Sequence, residues 1–166
     1  MTRLVETRDD HFAWMLGERP RVDELRLPID GLDAPPVIRY LRRAAEDLRR
    51  AACRGSWLIV DGADAVGLCS YKAPPDSTGA VEIGYGVAAE RRARGYATRA
   101  VALIIHEART DPAIDTLTAE CAIDNFASQV VLERNGFRRT GMRTDPEDGE
   151  LFLWAIDVSR ASLSQT

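Results

Sequence analysis

The chain has 166 residues, of which 45% are hydrophobic and 29% are charged, and this predicts one globular domain with a sizeable core. A formal net charge of −4 and a pI of about 5.3 argue against a protein that binds nucleic acid through bulk positive charge. No apolar run approaches the ~20 residues that cross a membrane, and the N-terminus is too polar for a signal peptide.

Cysteine and histidine usage gives no sign of a disulfide framework or a metal site. Cys53, Cys69 and Cys121 are odd in number, widely spaced and set in apolar surroundings, so we expect free core thiols in the cytoplasm. The two histidines, His11 and His106, do not add metal-ligand spacing, and no metal is predicted. We interpret both as structural or solvated rather than catalytic.

The first 55 residues carry no motif. A short helix is predicted from Asp9 to Leu16, capped by an aspartate, and residues 18–35 are rich in Pro, Asp and Gly and therefore form a loop. Apolar residues recur at helical spacing from Val37 to Ala52, with arginines and acids on the other face, which predicts an amphipathic helix.

A hairpin and a central strand follow. The apolar runs 57–60 and 66–71 flank an Asp-Gly step at Asp61-Gly62, which is a strong hairpin signal. From Val81 to Val87 apolar residues alternate with Glu82 and two glycines, and this period of two predicts a strand.

The segment after the central strand suits a diphosphate ligand. A basic turn at 90–95 ends in Gly95 and leads into a helix that begins at Tyr96 and is stopped by Asp111 and Pro112. The first turn of a helix presents N–H groups and partial positive charge, and arginines add full charge. The loop matches neither the dinucleotide fingerprint nor the P-loop, so another diphosphate is favoured; the alternative is an ordinary strand–helix junction with solvated arginines.

The remaining elements complete a mixed α/β sheet. Asp124-Asn125 separates a strand from a helix, and the polar tail after Ser159 is expected to fray. The predicted elements are the strand 117–123, the helix 126–134, and the strands 137–144 and 151–158.

Two separated motifs stand out in the second half of the chain. The first is EIGY at residues 82–85 with RARGYA at 92–97, and the second is NFAS at 125–128 with GF at 136–137. They resemble the GNAT family of N-acetyltransferases, whose acyl-CoA loop reads Arg/Gln-x-x-Gly-x-Gly/Ala, and more closely its branch of ribosomal-protein N-terminal acetyltransferases, which has Glu-Ile-Gly-Tyr, Asn-x-x-Ser and Gly-Phe. Ala93 departs from the pattern, since the branch usually has glycine there, and it would be strained if the position needs a positive φ.

The resemblance implies an α/β (α+β) fold with a mixed, mostly antiparallel sheet, splayed central strands and flanking helices. It covers residues 57–158 of a single domain, 1–166, and leaves 1–55 as the substrate side. Acetyl-CoA would lie in the splay, with backbone groups near Tyr85 and Val87 pairing with its pantetheine amides. The other implied cofactor-binding residues are Arg92, Ala93, Arg94, Gly95, Tyr96, Ala97, Thr98 and Asn125.

Acetyl transfer to an amine needs a neutral amine and a proton for the departing thiolate. Glu82 is the first candidate base, acting through water, because it shares a strand face with two glycines that leave room for a ligand; Glu120 is the second. By analogy, Ser128 could donate to the thiolate. The alternatives are exposed strand glutamates, a solvent-facing serine and an Asn125 that merely caps a helix.

We therefore expect an acetyl-CoA-dependent N-acetyltransferase that works by direct transfer in a ternary complex. The acceptor is a primary amine, on a protein N-terminus or on a small molecule such as an antibiotic, and the acidic N-terminal loop would suit a cationic one. The alternative is an inactive CoA-binding or protein-interaction module. No nucleic-acid or membrane partner is expected, and a homodimer is the commonest closed assembly.

Overall fold

A computed structural model describes residues 1–160, which fall into two compact units. The first unit comprises Met1–Pro74 and Gly84–Ala100, and the second comprises Pro75–Ile83 and residues 101–160. The predicted fraying after Ser159 concerns residues 161–166, which lie outside the described part of the chain. In chain order the elements are β1 (Thr2–Glu6), α1 (Asp9–Met15), α2 (Pro35–Arg50), β2 (Ser56–Asp61), β3 (Asp64–Tyr71), β4 (Ala80–Val87), a short 3-10 turn (Ala89–Arg91), α3 (Tyr96–Thr110), β5 (Thr116–Ala122), α4 (Phe126–Arg134), β6 (Arg138–Asp145) and β7 (Gly149–Asp157).

The first unit contains the strand order β1-β2-β3-β4. β1 and β2 pair antiparallel, with Thr2 opposite Asp61, and the predicted β2–β3 hairpin is confirmed. Gly62 turns the hairpin with φ +60°, a conformation that L side chains rarely adopt. β1 was not predicted as a strand, because five residues are too few to show a clear alternation.

Helices α1 and α2 pack their apolar faces on this part of the sheet. The buried cluster includes Phe12 of α1, Ile38 and Ala45 of α2, and Leu58 and Leu68 of β2 and β3. Leu25 and Leu32 from the loop between the helices are buried in the same cluster, so the predicted loop has anchor points of its own.

The first residue of α2 and the cap of α1 differ from the prediction. α2 begins at Pro35 rather than Val37, since proline is well tolerated in the first turn, where its missing N–H is not needed. The predicted aspartate cap of α1 is wrong: Arg8 is the N-cap, and Asp9 and Asp10 occupy the first turn. Carboxylates are favourable there because the helix N-terminus carries partial positive charge.

The second unit contains the strand order β4-β5-β7-β6. β5 and β6 both pair antiparallel with β7, whereas β4 and β5 pair parallel. The parallel register runs only from Ala80–Thr116 to Glu82–Thr118, although β4 continues to Val87 and β5 to Ala122. The mixed, mostly antiparallel α/β class is confirmed.

His11 is fully buried where α1 begins. Its Nδ1 accepts a hydrogen bond from the backbone N–H of Arg8 at 2.9 Å, so Nε2 carries the proton that faces Asp23 Oδ2 at 3.0 Å. Desolvation lowers the pKa of His11 more than its hydrogen bond to Asp23 raises it. Because Nδ1 faces a donor, a second ring proton would break the contact that caps α1.

The backbone turns sharply between β4 and α3. Ala93 has φ +60° and Gly95 has φ +80°, both in the left-handed region. Alanine is strained in this region by contact of its Cβ with the backbone, whereas glycine is not. The position of Ala93 therefore has the positive φ for which strain was predicted.

His11 should make stability depend on pH in a defined window. Its pKa is lower in the folded chain than the ordinary value of about 6.5, so the unfolded chain binds more protons there and stability falls as pH drops below about 6.5. Urea unfolding between pH 8 and 5 should show this loss, and His11→Gln should flatten it. His106→Gln, at an exposed position of α3, is the matched control and should keep the wild-type slope.

Ala93→Gly should stabilise the fold. The left-handed conformation costs alanine roughly 1 kcal/mol in the folded chain, and glycine avoids this cost. Glycine also has more conformational freedom in the unfolded chain, and this opposes folding and cancels about half of the gain. We expect a net gain of about 0.5 kcal/mol in the free energy of unfolding. Ala97→Gly, within helical residues of α3, should instead lose about 0.5 kcal/mol, and equal signs for both variants would contradict the assignment of strain.

Candidate active site

The first unit holds a cavity of about 170 Å³ against the glycine-bearing part of β4. It is closed on one side by α1, α2 and the loop before α2, and on the other by strands of the sheet. Its apolar wall includes Phe12, Leu32, Tyr40, Leu41 and Leu68. The N-terminal region thus contributes most of one wall of the cavity, and its role as the substrate side stays a prediction.

The face of β4 that reaches this cavity is the one predicted to leave room for a ligand. Gly84 and Gly86 line the cavity, whereas Val81 and Ile83 on the opposite face are buried. Tyr85, between the two glycines, is half-buried and also contributes to the lining. Strand alternation gives Glu82 the same direction as the two glycines.

Two charged residues of the lining were not predicted as site residues. Asp33 precedes α2, and its carboxylate accepts a hydrogen bond from the backbone N–H of Ala34 at 2.7 Å. Lys72 follows β3, and its Cε lies 3.5 Å from the point that a Cβ on Gly84 would occupy. No spacing rule links these residues, but Lys72 is the only lysine in a chain with 22 basic residues, a signal visible in the composition.

The predicted cofactor loop lies between β4 and α3 in the first unit. Arg92, Ala93, Arg94 and Gly95 are exposed, and the guanidinium Nε of Arg92 donates to the carbonyl of Val87 at 3.3 Å. The structure thereby brings the loop against the end of β4. The next predicted residues, Tyr96, Ala97 and Thr98, form the first turn of α3.

Tyr96 fixes this turn rather than facing solvent. Its hydroxyl donates to Asp61 Oδ2 at 2.8 Å, and this hydrogen bond is the main reason that its pKa is raised. Arg99 lies over the Tyr96 ring and donates to the carbonyl of Arg94 at 3.0 Å. The loop therefore has a defined shape, held from α3 and from the end of β2.

The second unit contains both candidate bases. Register pairs Glu82 with Thr118, so Glu82 and Glu120 lie on one face of the β4–β5 pair. Glu120 accepts from Arg143 through both carboxylate oxygens, at 2.9 and 2.6 Å. A bidentate ion pair favours the ionised carboxylate and makes it a weaker base.

Asn125 and Ser128 lie together at the start of α4. The side chain of Asn125 accepts from the backbone N–H of Ser128 at 3.1 Å, so it is the N-cap that the sequence offered as an alternative. The Ser128 side chain hydrogen-bonds the thiol of Cys121, which also accepts from Trp154 Nε1 at 3.3 Å. Burial nevertheless raises the pKa of Cys121, so the thiol stays protonated at neutral pH.

Among residues 1–160, none of the helices combines the length and the apolar character that a membrane span needs. The same residues contain no group of three or more histidine, cysteine or acidic side chains placed to hold a metal ion.

The three cysteines form no disulfide. Cys69 and Cys121 are buried, and Cys53 is half-buried.

Solved structures share this fold at low sequence identity. RimJ of Mycobacterium smegmatis, in complex with CoA-disulfide, superimposes with a TM-score of 0.71 and 23% identity over 99% of this chain and 85% of that chain. RimL, a ribosomal-protein alpha-N-acetyltransferase, in complex with coenzyme A gives a TM-score of 0.70 and 18% identity over 94% of this chain and 93% of that chain.

Sequence comparison identifies the family. The uncharacterized N-acetyltransferase YjdG of Bacillus subtilis (strain 168) is 36% identical over 84 residues, which are 49% of this chain and 50% of YjdG, so the match spans about half of that protein. The family model of the acetyltransferase (GNAT) domain matches residues 3–138. A match over that much of the sequence means that the chain belongs to the GNAT acetyltransferase family.

Proposed function

We propose that the protein transfers an acetyl group from acetyl-CoA to a primary amine, directly, in a ternary complex. The observation that carries the proposal is β4 itself. It leads at its end into a basic loop and a helix N-terminus suited to a diphosphate, and its glycine face lines a cavity that fits an acceptor. Acetyl-CoA supplies the activated acetyl group and a thiolate leaving group.

The loop fits the diphosphate of acetyl-CoA in shape and charge. Backbone N–H groups of the first turn of α3 have no partner within the helix, and the helix dipole adds positive potential. Arg92 and Arg94 are exposed at this end and supply forked donors. Gly95 has no side chain to stand between the backbone and a bound phosphate, which favours close approach.

The pantetheine arm is assigned to the part of β4 beyond Glu82. There the strand has left its register with β5, and an extended ligand can add to a strand through main-chain hydrogen bonds. Tyr85 and Val87 are the residues whose backbone we assign to this role. Asn125 is assigned to the same ligand through its amide, in addition to capping α4.

Glu82 is the proposed general base. It is half-buried on the ligand-side face of β4, where a water molecule can connect its carboxylate to the acceptor amine. Glu120 shares that face, accepts from Arg143 through both carboxylate oxygens, and is the second candidate. Ser128 is the proposed donor to the departing thiolate, by analogy with the family branch that the chain resembles.

The alternative, a member of the family that binds CoA without turnover, differs from this proposal only in its chemistry. Both require the loop, whereas only the enzyme requires Glu82. We also infer a cytoplasmic location, because three free thiols suit a reducing compartment. A homodimer stays a prediction.

Replacing the exposed loop arginines should abolish acetyl-CoA binding. Arg92→Glu with Arg94→Glu reverses the charge that meets the diphosphate, so the rise in melting temperature that acetyl-CoA gives the wild-type protein should disappear. Arg39→Glu with Arg43→Glu, at exposed positions of α2, is the matched control and should keep the full rise. An absent shift in wild type, at ligand far above any reasonable Kd, would reject the proposed function.

Glu82→Gln should separate the enzyme from a binding module. The variant should bind acetyl-CoA as wild type does and lose about 100-fold or more in kcat, because general-base assistance contributes that much. Glu120→Gln should cost less in kcat. The measurement is release of the CoA thiol at several pH values. The loss in kcat of Glu82→Gln relative to wild type should become smaller as pH rises, because the acceptor amine then deprotonates without a base. A larger loss for Glu120→Gln would reverse the assignment of the base.

A further inference from the structure

We infer that the acceptor carries its primary amine on an extended apolar body, and that this body binds along one face of α2. The inference rests on the proposed function, because it assigns the cavity of the first unit to the acceptor. The face consists of Val37, Tyr40, Leu41 and Ala44, here called the α2 stripe, and all four residues line the cavity. They select the acceptor and take no part in acetyl transfer.

The α2 stripe extends beyond the face of α2 that builds the core. Ile38, Ala45 and Leu48 are each 2% exposed, whereas Val37 and Tyr40 are 39% and 56% exposed. Steps of three and four residues place the members of the stripe on one side of the helix, over a length of about 10 Å. The helix thus has more apolar surface than the core uses, and the excess lines the cavity.

The rest of the apolar lining continues the stripe from the surface to a buried floor. Phe12, Leu32 and Leu68 are buried and line the same cavity as the exposed Val37 and Tyr40. An apolar body gains roughly three- to fourfold in affinity for each methylene that leaves water along this path. A polar body would lose water there without equivalent partners, which is unfavourable.

Charge in the lining is a weaker determinant than this apolar surface. Lys72 has an interaction of its own within the fold, and Asp33 is the one acidic side chain among the described residues of the lining. Asp33 is exposed, and an exposed ion pair changes affinity by about fivefold at most. Three buried methylenes change it by roughly 30-fold or more. An apolar body therefore outweighs the attraction of Asp33 for a second ammonium on the acceptor.

Two sources present this chemistry: a free alkylamine or arylalkylamine, and the N-terminus of a peptide whose first residues are apolar. The experiment measures kcat/KM by release of the CoA thiol for two pairs, hexylamine with propylamine and Leu-Leu-Gly-amide with Gly-Gly-Gly-amide. In the pair that represents the true source, wild type should prefer the more apolar member by on the order of 10-fold or more. The pair with the larger ratio identifies the source.

A diamine tests charge against apolar surface directly. 1,5-Diaminopentane has the size of hexylamine, with an ammonium in place of the terminal methyl group. Wild type should prefer hexylamine to it by on the order of 10-fold. A diamine that reacts as well as hexylamine or better, or ratios near one in both pairs, would overturn the inference.

The role of the α2 stripe is tested at its exposed end. Val37→Ser with Tyr40→Ser removes apolar surface there and should lower the kcat/KM ratio of hexylamine to propylamine by about fivefold or more. Arg39→Ser with Arg43→Ser, at exposed positions of the same helix outside the lining, is the matched control and should keep the wild-type ratio. Melting temperatures show that both variants are folded. A wild-type ratio in the first variant would contradict the role of the stripe.

Binding without turnover separates this inference from the proposed function. Thermal shifts given by hexylamine and propylamine in the presence of free CoA report binding alone. Turnover of no amine despite CoA binding would count against the proposed function. A larger shift for hexylamine that Val37→Ser with Tyr40→Ser removes would support the inference even then, whereas equal shifts for the two amines would count against it.

Discussion

The two faces of β4 are the constraint on which the rest of the candidate site depends. On one face Val81 and Ile83 must be buried, so the strand cannot rotate or slip by one residue without exposing them. That burial fixes the direction of the other face, which carries Glu82, Gly84 and Gly86. Core packing thus determines which way the Glu82 side chain points and where the two glycines leave space.

The loop after β4 is held by polar contacts and not by apolar burial. Apolar burial cannot hold an exposed arginine loop, so its shape comes from specific hydrogen bonds: Arg92 to the carbonyl of Val87, Tyr96 to Asp61, and Arg99 to the carbonyl of Arg94. Each joins the loop to a regular element. If the loop binds a diphosphate as proposed, its order before the ligand arrives reduces the conformational entropy that is lost on binding.

Local patterns predicted much of the fold, and long-range pairing accounts for what they missed. Alternation in β4, the Asp-Gly hairpin and the caps of α4 depend on neighbours in sequence, and these elements were predicted with the correct type. The ion pair of Glu120 with Arg143 spans 23 residues, and the cavity combines six segments, so no local pattern encodes either. The buried setting of His11 is a tertiary property for the same reason, since a lone histidine looks alike whether solvated or enclosed.

The arginines and the lysine lie in different settings, in keeping with the chemistry of their side chains. Arginine's planar fork suits carboxylates held at fixed geometry, and the arginines at 8, 26, 42 and 143 are used in that way. Lysine is a compact charge on a flexible stem and has no such fork. The chain has one lysine among its 22 basic residues, and it lines the cavity beside β4. The preference for arginine thus has a structural consequence: carboxylates from separate elements are joined at fixed geometry, as Arg42 joins Asp9 and Glu18.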